Sequence, residues 1–404
     1  MEEKAIRFMK ETPIEKPFMV YMCLPVPHGQ GERWNYRDPH FKLDPPTAPP
    51  PNPETMTQGV SPLSSLYSPL TRATQTSQSI MTDSAIPFET FAGFERVPGA
   101  SPLFSCAPPD WAAAAHAIVV DETVHYIWAQ KRADDSWVLM HSSAPASDPS
   151  AIEHDPRNPI VVPAGEGAFD DHAVEYPFPF LNPAHGRYYM YYLGKRQRVP
   201  KQTGLMVMDG DFGTWRRVSD GPVIPAEYEY EEDGSSHPSV AVDGDVIHIV
   251  YTGEAKGLGG EHHPYNNPTL CHATAPTSDP ACVTKDAANP VFKGSGEAWD
   301  RYGVRETEIL RGPSYFHIFY GGYNGSKWQL GHVRTIDFRT FEPNPANPIF
   351  APNEDPEAWD SGELLTPQVF ELNGDYYMLY AGLKGRGWGG DSECGSGLAV
   401  ARKS

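Results

Sequence analysis

Acidic residues gather in four short windows of this chain, each just ahead of an aliphatic run. FDDHAVEYP holds Asp170, Asp171, His172 and Glu175, and EYEYEEDGSSHP holds Glu231, Glu232, Asp233 and His237. EAWDRYGVRETE holds Asp300, Arg305, Glu306 and Glu308, and EAWDSGELLTP holds Asp360 and Glu363. A fifth window, PPDWAAAAHA, offers only Asp110, Trp111 and His116. Carboxyls that converge on one point suit cleavage of a glycosidic bond. One protonated carboxyl serves the leaving oxygen, and one carboxylate serves as base or nucleophile. Crowding them raises the acid's pKa by like-charge repulsion. Trp111, Trp299 and Trp359 are aromatic platforms for a sugar face. No segment cradles phosphate or forms a dinucleotide fold or a Ser-His-Asp elbow.

These windows precede a repeated block. LNGDYYMLYAG (Leu372 to Gly382) starts at an Asn-Gly turn, alternates aromatic and aliphatic residues, and stops at a glycine. A turn of that kind between β-rich runs is a hairpin signal. The block recurs as RGPSYFHIFYGG, VDGDVIHIVYTG, AHGRYYMYYLG and, more worn, VDETVHYIWAQ. A period of about 60 residues built only of strands is that of a four-stranded blade. The first strand precedes the block: AAHAIVV, VEYPFPFL, SHPSVAV, RETEILR and LTPQVFEL. A small, apolar third strand follows, and then a fourth carrying Asn-Pro-Ile or a relative, a proline suited to an edge strand. The chain stops after the third strand of the last repeat. FERVPGASPLF (Phe94 to Phe104), which matches WRRVSDGPVIP, supplies the missing strand. The expected fold is an all-β, five-bladed β-propeller over residues 91–404, closed by an N-terminal strand that removes the open edge.

First strands line the centre of such a ring, so ligand-facing groups belong at or just before their starts. Residues that recur with the blade are better read as turn or cap residues, which discounts Asp170, Asp300 and Asp360. Glu231, Glu232 and Asp233 are expected in a solvated loop. Non-repeating Asp171, Glu175, Arg305 and Glu306 are the stronger candidates. His116 and His237 are candidates for substrate contact, or else satisfied inner-strand histidines that hold a channel ion or water. His262 and His263 fall in a long hairpin loop at the rim.

At these residues the chain resembles the five-bladed furanosidase superfamily, which covers glycoside hydrolase families 43 and 117 and the invertase/levanase group. Its members place acidic residues at the starts of successive inner strands. GVRETEI resembles the family's Arg-Asp-Pro element, which implies Arg305 as sugar ligand and Glu306 as stabiliser. VEYP resembles its Glu-x-Pro element, which implies Glu175 as general acid. Blade one departs, since alanine stands where an aspartate should precede the strand. Asp110 lies several residues upstream and could supply the base only if the loop before blade one folds over the axis. The expected catalytic set is therefore Asp110, Asp171, Glu175 and Glu306, with His116, His237, Arg305, Glu363 and Trp111 binding substrate. No cofactor is required; the channel would take at most a structural calcium ion or a water.

Residues 1–56 stand outside the repeat. KPFMVYMCLPVPHG, WNYRDPHF and PPTAPPPN resemble a piece of the sulfatase family, in which the loop histidine matching His28 contacts sulfate. The family's C/S-x-P-x-R nucleophile motif is absent from the chain. The segment is therefore expected to be a non-catalytic remnant, from a fusion or a misplaced start, followed by a disordered Ser/Thr/Pro-rich linker over 57–90.

A formal charge of −20 argues against nucleic acid and anionic membranes as partners. No apolar run reaches the roughly 18 residues of a membrane span. The charged start is not expected to be a signal peptide, although both resembled families are commonly exported. Five scattered cysteines are expected to be buried thiols rather than a disulfide framework. The expected activity is hydrolysis of a plant or algal oligo- or polysaccharide by a monomer or weak homo-oligomer. A non-catalytic carbohydrate-binding propeller is the alternative, and a sulfatase-derived protein a distant third.

Overall fold

The chain divides into two compact units, Met1–Arg72 and Ala73–Ser404. A computed structural model describes residues 86–99, 102–106, 110–197, 200–255, 268–385 and 393–403, all in the second unit. The sulfatase-like segment, the linker up to residue 85 and the His262–His263 pair lie outside the described residues.

Apart from two short 3-10 turns, Phe88–Phe91 and Glu229–Glu231, the regular structure there is β. Strands β1 (Glu95–Arg96) and β2 (Phe104–Ser105) lead in. Then come β3 (Trp111–Val120), β4 (Thr123–Lys131), β5 (Trp137–Pro145) and β6 (Glu153–His154), followed by β7 (Ala173–Asn182), β8 (Arg187–Lys195), β9 (Gln202–Met208) and β10 (Trp215–Arg217). The third group is β11 (Gly234–Asp243), β12 (Val246–Glu254), β13 (Thr269–Pro276) and β14 (Thr284–Lys285). The fourth is β15 (Val304–Arg311), β16 (Phe316–Tyr323), β17 (Trp328–Thr335) and β18 (Phe341–Pro343), and β19 (Glu363–Leu372), β20 (Asp375–Leu383) and β21 (Cys394–Ala401) end the chain.

Within each group, consecutive strands pair antiparallel. One parallel bridge, Trp137 to Ala173, joins the first two groups into an eight-stranded sheet. The last group is completed from the front, as the sequence suggests. Glu95 pairs with Val400, Arg96 with Ala399, and Phe104 with Ser396. Inner strand β3 touches β7 and β19, β11 touches β7 and β15, and β15 touches β19.

The recurring aspartates prove to be clamps. Asp170 accepts from Tyr192 Oη at 2.8 Å and Arg217 Nε at 2.7 Å. Asp360 accepts from Tyr380 Oη at 3.1 Å and Arg96 Nε at 2.6 Å, and Asp300 from Tyr320 Oη at 3.0 Å. Arg96 on β1 thus does for the last group what Arg217 on β10 does for the second. Glu231 fills the same position in the third group, bonding Tyr251 Oη and Lys285 Nζ, each at 2.7 Å. It is buried, which corrects the expectation of a solvated loop there. Trp299 and Trp359 pack on Tyr320 and Tyr380 of their own groups. A Cβ on Gly322 would fall 2.3 Å from Trp299, and one on Gly382 would fall 2.6 Å from Trp359, so glycine there admits the indole.

The Asn-Pro elements reach the edge of the third strand through a single antiparallel bridge each, Leu139 with Val161, Leu270 with Phe292 and Leu330 with Phe350, rather than through a continuous strand. They follow the short outer strands, and the asparagine side chain replaces a strand neighbour. Asn158 accepts from His141 N at 2.7 Å and donates to His141 O at 2.8 Å, and Asn289 and Asn347 do the same for His272 and His332. Those histidines belong to three stacked pairs, His125–His141, His248–His272 and His317–His332, each with an Nδ1 to Nε2 contact of 3.1 Å. A ring from another segment covers each pair: Phe212, Phe338 and Phe91.

Burial, and the neighbouring histidine or arginine, lower His125, His248 and His317 to about 4. In the unfolded chain each titrates near 6.5, so protons prefer the unfolded state and stability falls as pH drops from about 6.5 toward 4. Chemical denaturation at stepped pH should show this decline, and His125→Gln should make it shallower. A second outcome concerns closure. Arg96→Ala strands the buried Asp360 carboxylate and should cost about 3 kcal/mol, whereas Glu95→Ala beside it should change stability by less than about 0.5 kcal/mol.

Candidate active site at the bulged inner strands

Each inner strand carries a β-bulge near its start. The register slips between Ala113 and His116, Glu175 and Phe178, Ser236 and Ser239, Arg305 and Glu308, and Leu365 and Gln368. The first extra residue is left-handed in every case: Ala114 (φ 51°), Tyr176 (47°), His237 (53°), Glu306 (56°) and Thr366 (52°). Side-chain-bearing residues rarely adopt this conformation, and it clusters where a structure must aim a group. All five bulges line one cavity. The sequence signal was partial: three of the five left-handed residues precede proline (Pro177, Pro238, Pro367).

Glu306 is the one carboxylate at these five positions, and it is held from several sides. Arg305 Nε lies 2.8 Å from Oε1, Tyr176 Oη donates to Oε1 at 3.1 Å, and Thr366 N donates to Oε2 at 3.1 Å. Burial pushes its pKa up, and the Arg305 guanidinium and Tyr176 hydroxyl oppose that shift. All these donors favour the ionised form.

Arg305 also reaches His237 Nε2 at 3.2 Å. A guanidinium can only donate, so Nε2 is the lone-pair nitrogen and Nδ1 carries the proton. Nδ1 then donates to Ser236 Oγ at 2.7 Å, and Ser236 in turn donates to Glu254 Oε1. Lys201 Nζ closes the chain on Glu254 Oε2 at 2.7 Å. Burial, reinforced by Arg305, holds His237 neutral far below its usual range. Burial alone would raise Glu254, but the charges of Lys201 and Arg305 and the Lys201 hydrogen bond outweigh it and keep that carboxylate ionised.

Glu175 is the opposite case. It is buried beside Tyr176 and makes no hydrogen bond or ion pair among the described residues. Burial pushes its pKa up to about 7. Lys195 and Lys201 pull against this, while the Glu254 and Glu306 carboxylates add to it. Burial thus favours the protonated form of Glu175, while the charges around Glu254 favour its ionised form, the division of roles acid–base catalysis needs. Also lining the cavity are Glu308, held neutral by burial, and His116, pushed down to about 3 by burial.

His237, Glu306 and His116 line the cavity, with Arg305 bonded behind His237 and Glu306 and with Glu175, next to Tyr176, close enough to feel the Glu306 and Glu254 charges; neither Arg305 nor Glu175 lines the cavity itself. Other expected members lie elsewhere. Asp171 accepts from Gly167 N at 2.9 Å and faces Arg196 at 3.4 Å. Asp110 contacts Gln130 at 3.4 Å. Trp111 is buried, with Lys131 Nζ 4.5 Å above its ring, and presents no face to a ligand. Glu363 is buried at the start of β19 and does not line the cavity. Each of the four sits in the loop before its strand or at its first residues, and the bulge that aims side chains inward comes later.

Glu254 and Lys201 were missed because they lie on the second strand and before the third, where no inner-strand rule looks. Glu254 was still visible as the one acid in a repeat column otherwise filled by Lys131, Lys195, Tyr323 and Leu383. Among the described residues, no group of three or more His, Cys, Asp or Glu is placed to hold a metal ion.

No protein family matches the chain by sequence, and no curated protein matches it. Similar solved structures include one described by the finding that the GH130 family of mannoside phosphorylases contains glycoside hydrolases targeting β-1,2 mannosidic linkages in Candida mannan. That chain is 14% identical over 79% of this chain and 96% of its own, with a TM-score of 0.61. A glycosyl hydrolase from Bacteroides ovatus is 14% identical over 78% and 95%, with a TM-score of 0.59. The catalytic domain of the Coprinopsis cinerea GH62 α-L-arabinofuranosidase is 12% identical over 74% and 94%, with a TM-score of 0.52. The likeness is one of fold, a propeller-like, nearly all-β architecture.

The Glu175 environment makes a direct prediction. Isotope-edited infrared titration should find its carboxyl stretch disappearing around pH 7. Lys195→Met removes a charge that favours ionisation, so the midpoint should move up. An unchanged midpoint would mean that Lys195 does not act on Glu175.

Proposed function

We propose that the protein is a glycoside hydrolase. In this reading its five strand groups form a five-bladed propeller of the furanosidase type, and the bulges of the inner strands make the sugar site. The cyclic contacts of β3, β7, β11, β15 and β19, and the completion of the last group by β1, support the ring. The observation that carries the function is the buried Glu175 carboxyl, without a bond among the described residues and raised to about 7, beside a Glu306 carboxyl fixed by Arg305, Tyr176 and Thr366.

Glu175 protonates the leaving glycosidic oxygen. Glu306 stabilises positive charge developing on the sugar ring. Arg305, held by Glu306 and His237, orients sugar hydroxyls. The substrate is a neutral plant or algal oligo- or polysaccharide, the class on which the resembled enzymes act.

A second reading is a propeller that binds carbohydrate without cleaving it. The alanines at the first bulge favour it, since Ala114 and Ala115 line the cavity where a base would stand. A panel of aryl furanosides and pyranosides, with plant and algal oligosaccharides, separates the two. If the protein is a hydrolase, Glu175→Gln should lower kcat by about 100- to 10,000-fold with little change in KM. Because the acid must be protonated, wild-type activity should fall as pH rises above about 7, and the substitution should abolish that limb. A binder would show saturable binding of the same sugars, retained in Glu175→Gln, and no turnover at any pH.

A further inference from the structure

The two ends of the β structure place two thiols together. Ser105 at the end of β2 pairs with Gly395 on β21, so one step further sets Cys106 opposite Cys394. Opposed residues of an antiparallel pair point to the same side of the sheet. Cys106 packs against the core cluster that contains Phe104, Ala112 and Leu398, and Cys394 Sγ lies 3.8 Å from Ala112 O. Cross-strand Cα separations of about 4.5–5.5 Å fall inside the span a disulfide requires, about 4.4–6.8 Å. Both cysteines are free thiols in this structure.

We propose that Cys106 and Cys394 form a modification site, a thiol pair that a small disulfide such as oxidised glutathione converts into an intramolecular cystine. The half-buried Cys106 reacts first. Its thiolate attacks one glutathione sulfur, the glutathione S–S bond breaks, and one glutathione thiolate leaves. The Cys394 thiolate then attacks the Cys106 sulfur of the mixed disulfide, forms the Cys106–Cys394 bond and releases the second glutathione thiolate. The two protons given up by the protein thiols end on two molecules of reduced glutathione, so the two electrons lost by the cysteines are those gained by the glutathione disulfide. Burial pushes the Cys106 thiol up to about 11, with Asp110 adding to the shift, and burial raises Cys394 further. The first attack is therefore slow at neutral pH and accelerates in alkaline buffer.

The bond would join the lead-in strand to the last strand and close a loop around almost all the described β structure, the geometry in which a cross-link restricts the unfolded chain most.

The test incubates the folded, full-length protein with oxidised glutathione in mildly alkaline buffer, blocks residual thiols, and maps peptides without reduction. A Cys106–Cys394 peptide should dominate, with the exposed Cys282 carrying glutathione or the blocking group. The melting temperature should rise by about 5 °C and return on adding dithiothreitol, and Cys106→Ser should remove the rise. Several results would overturn the proposal. Cys106 and Cys394 could both be recovered blocked, each could carry only glutathione, or either could be joined to another cysteine. A melting shift that persists in Cys106→Ser, or equal yield of the cystine from urea-unfolded chain, would also overturn it, because neither depends on the strand register.

Discussion

A carboxylate taken out of water is stable only where donors replace its hydration, and the centre of this protein is arranged around that requirement. Glu306, Glu254 and Asp360 are all nearly inaccessible, and each is met by a cation together with hydroxyl or backbone donors. Removing one donor would leave a buried charge that the remaining contacts cannot compensate. Glu175 is the exception that gives the site its chemistry. It is buried among charged neighbours with no bond of its own among the described residues, and burial raises its pKa to about 7. The difference between these acids lies in their partners, since the side chain is the same.

The left-handed bulges create that difference. A regular strand alternates its side chains across the sheet, so Arg305 and Glu306 would point to opposite faces. The bulge inserts one residue and turns it through a conformation that β-structure otherwise avoids. Glu306 can then take an ion pair from its own neighbour Arg305 and a bond from Tyr176 of another group. Tyr176 and His237 occupy the corresponding place in their strands, and their rings meet edge to face at 4.0 Å. The site is thus a layer of equivalent positions whose side chains differ.

Beneath this layer, repetition serves stability. The tyrosine–acid clamps, the asparagines that mimic a strand neighbour and the stacked histidine pairs recur from group to group, each bonded within the scaffold. Arg96 shows how closely the lead-in segment shares this pattern. It reproduces the Arg217 contact from the far end of the chain and so makes the last group equivalent to the others.

The sequence by itself determined the β-rich class, the repeat, the strand order within each group and the pairing of the FERV segment with the final strand. Those follow from alternation and turn residues that act over a few neighbours. It also set the recurring aspartates apart from the non-repeating Asp171, Glu175, Arg305 and Glu306, because scaffold residues recur with the period; it did not favour His237, and it included Asp171, which the structure places on Gly167 and Arg196. Tertiary structure alone decided that Asp110, Asp171, Trp111 and Glu363 stay outside the cluster, since their placement depends on where the bulge reverses the chain relative to the strand start. It alone revealed the Glu254–Lys201 end of the hydrogen-bond chain and the opposition of Cys106 and Cys394. Both join segments that are distant in sequence, and local pattern carries no information about which distant groups will share a buried space.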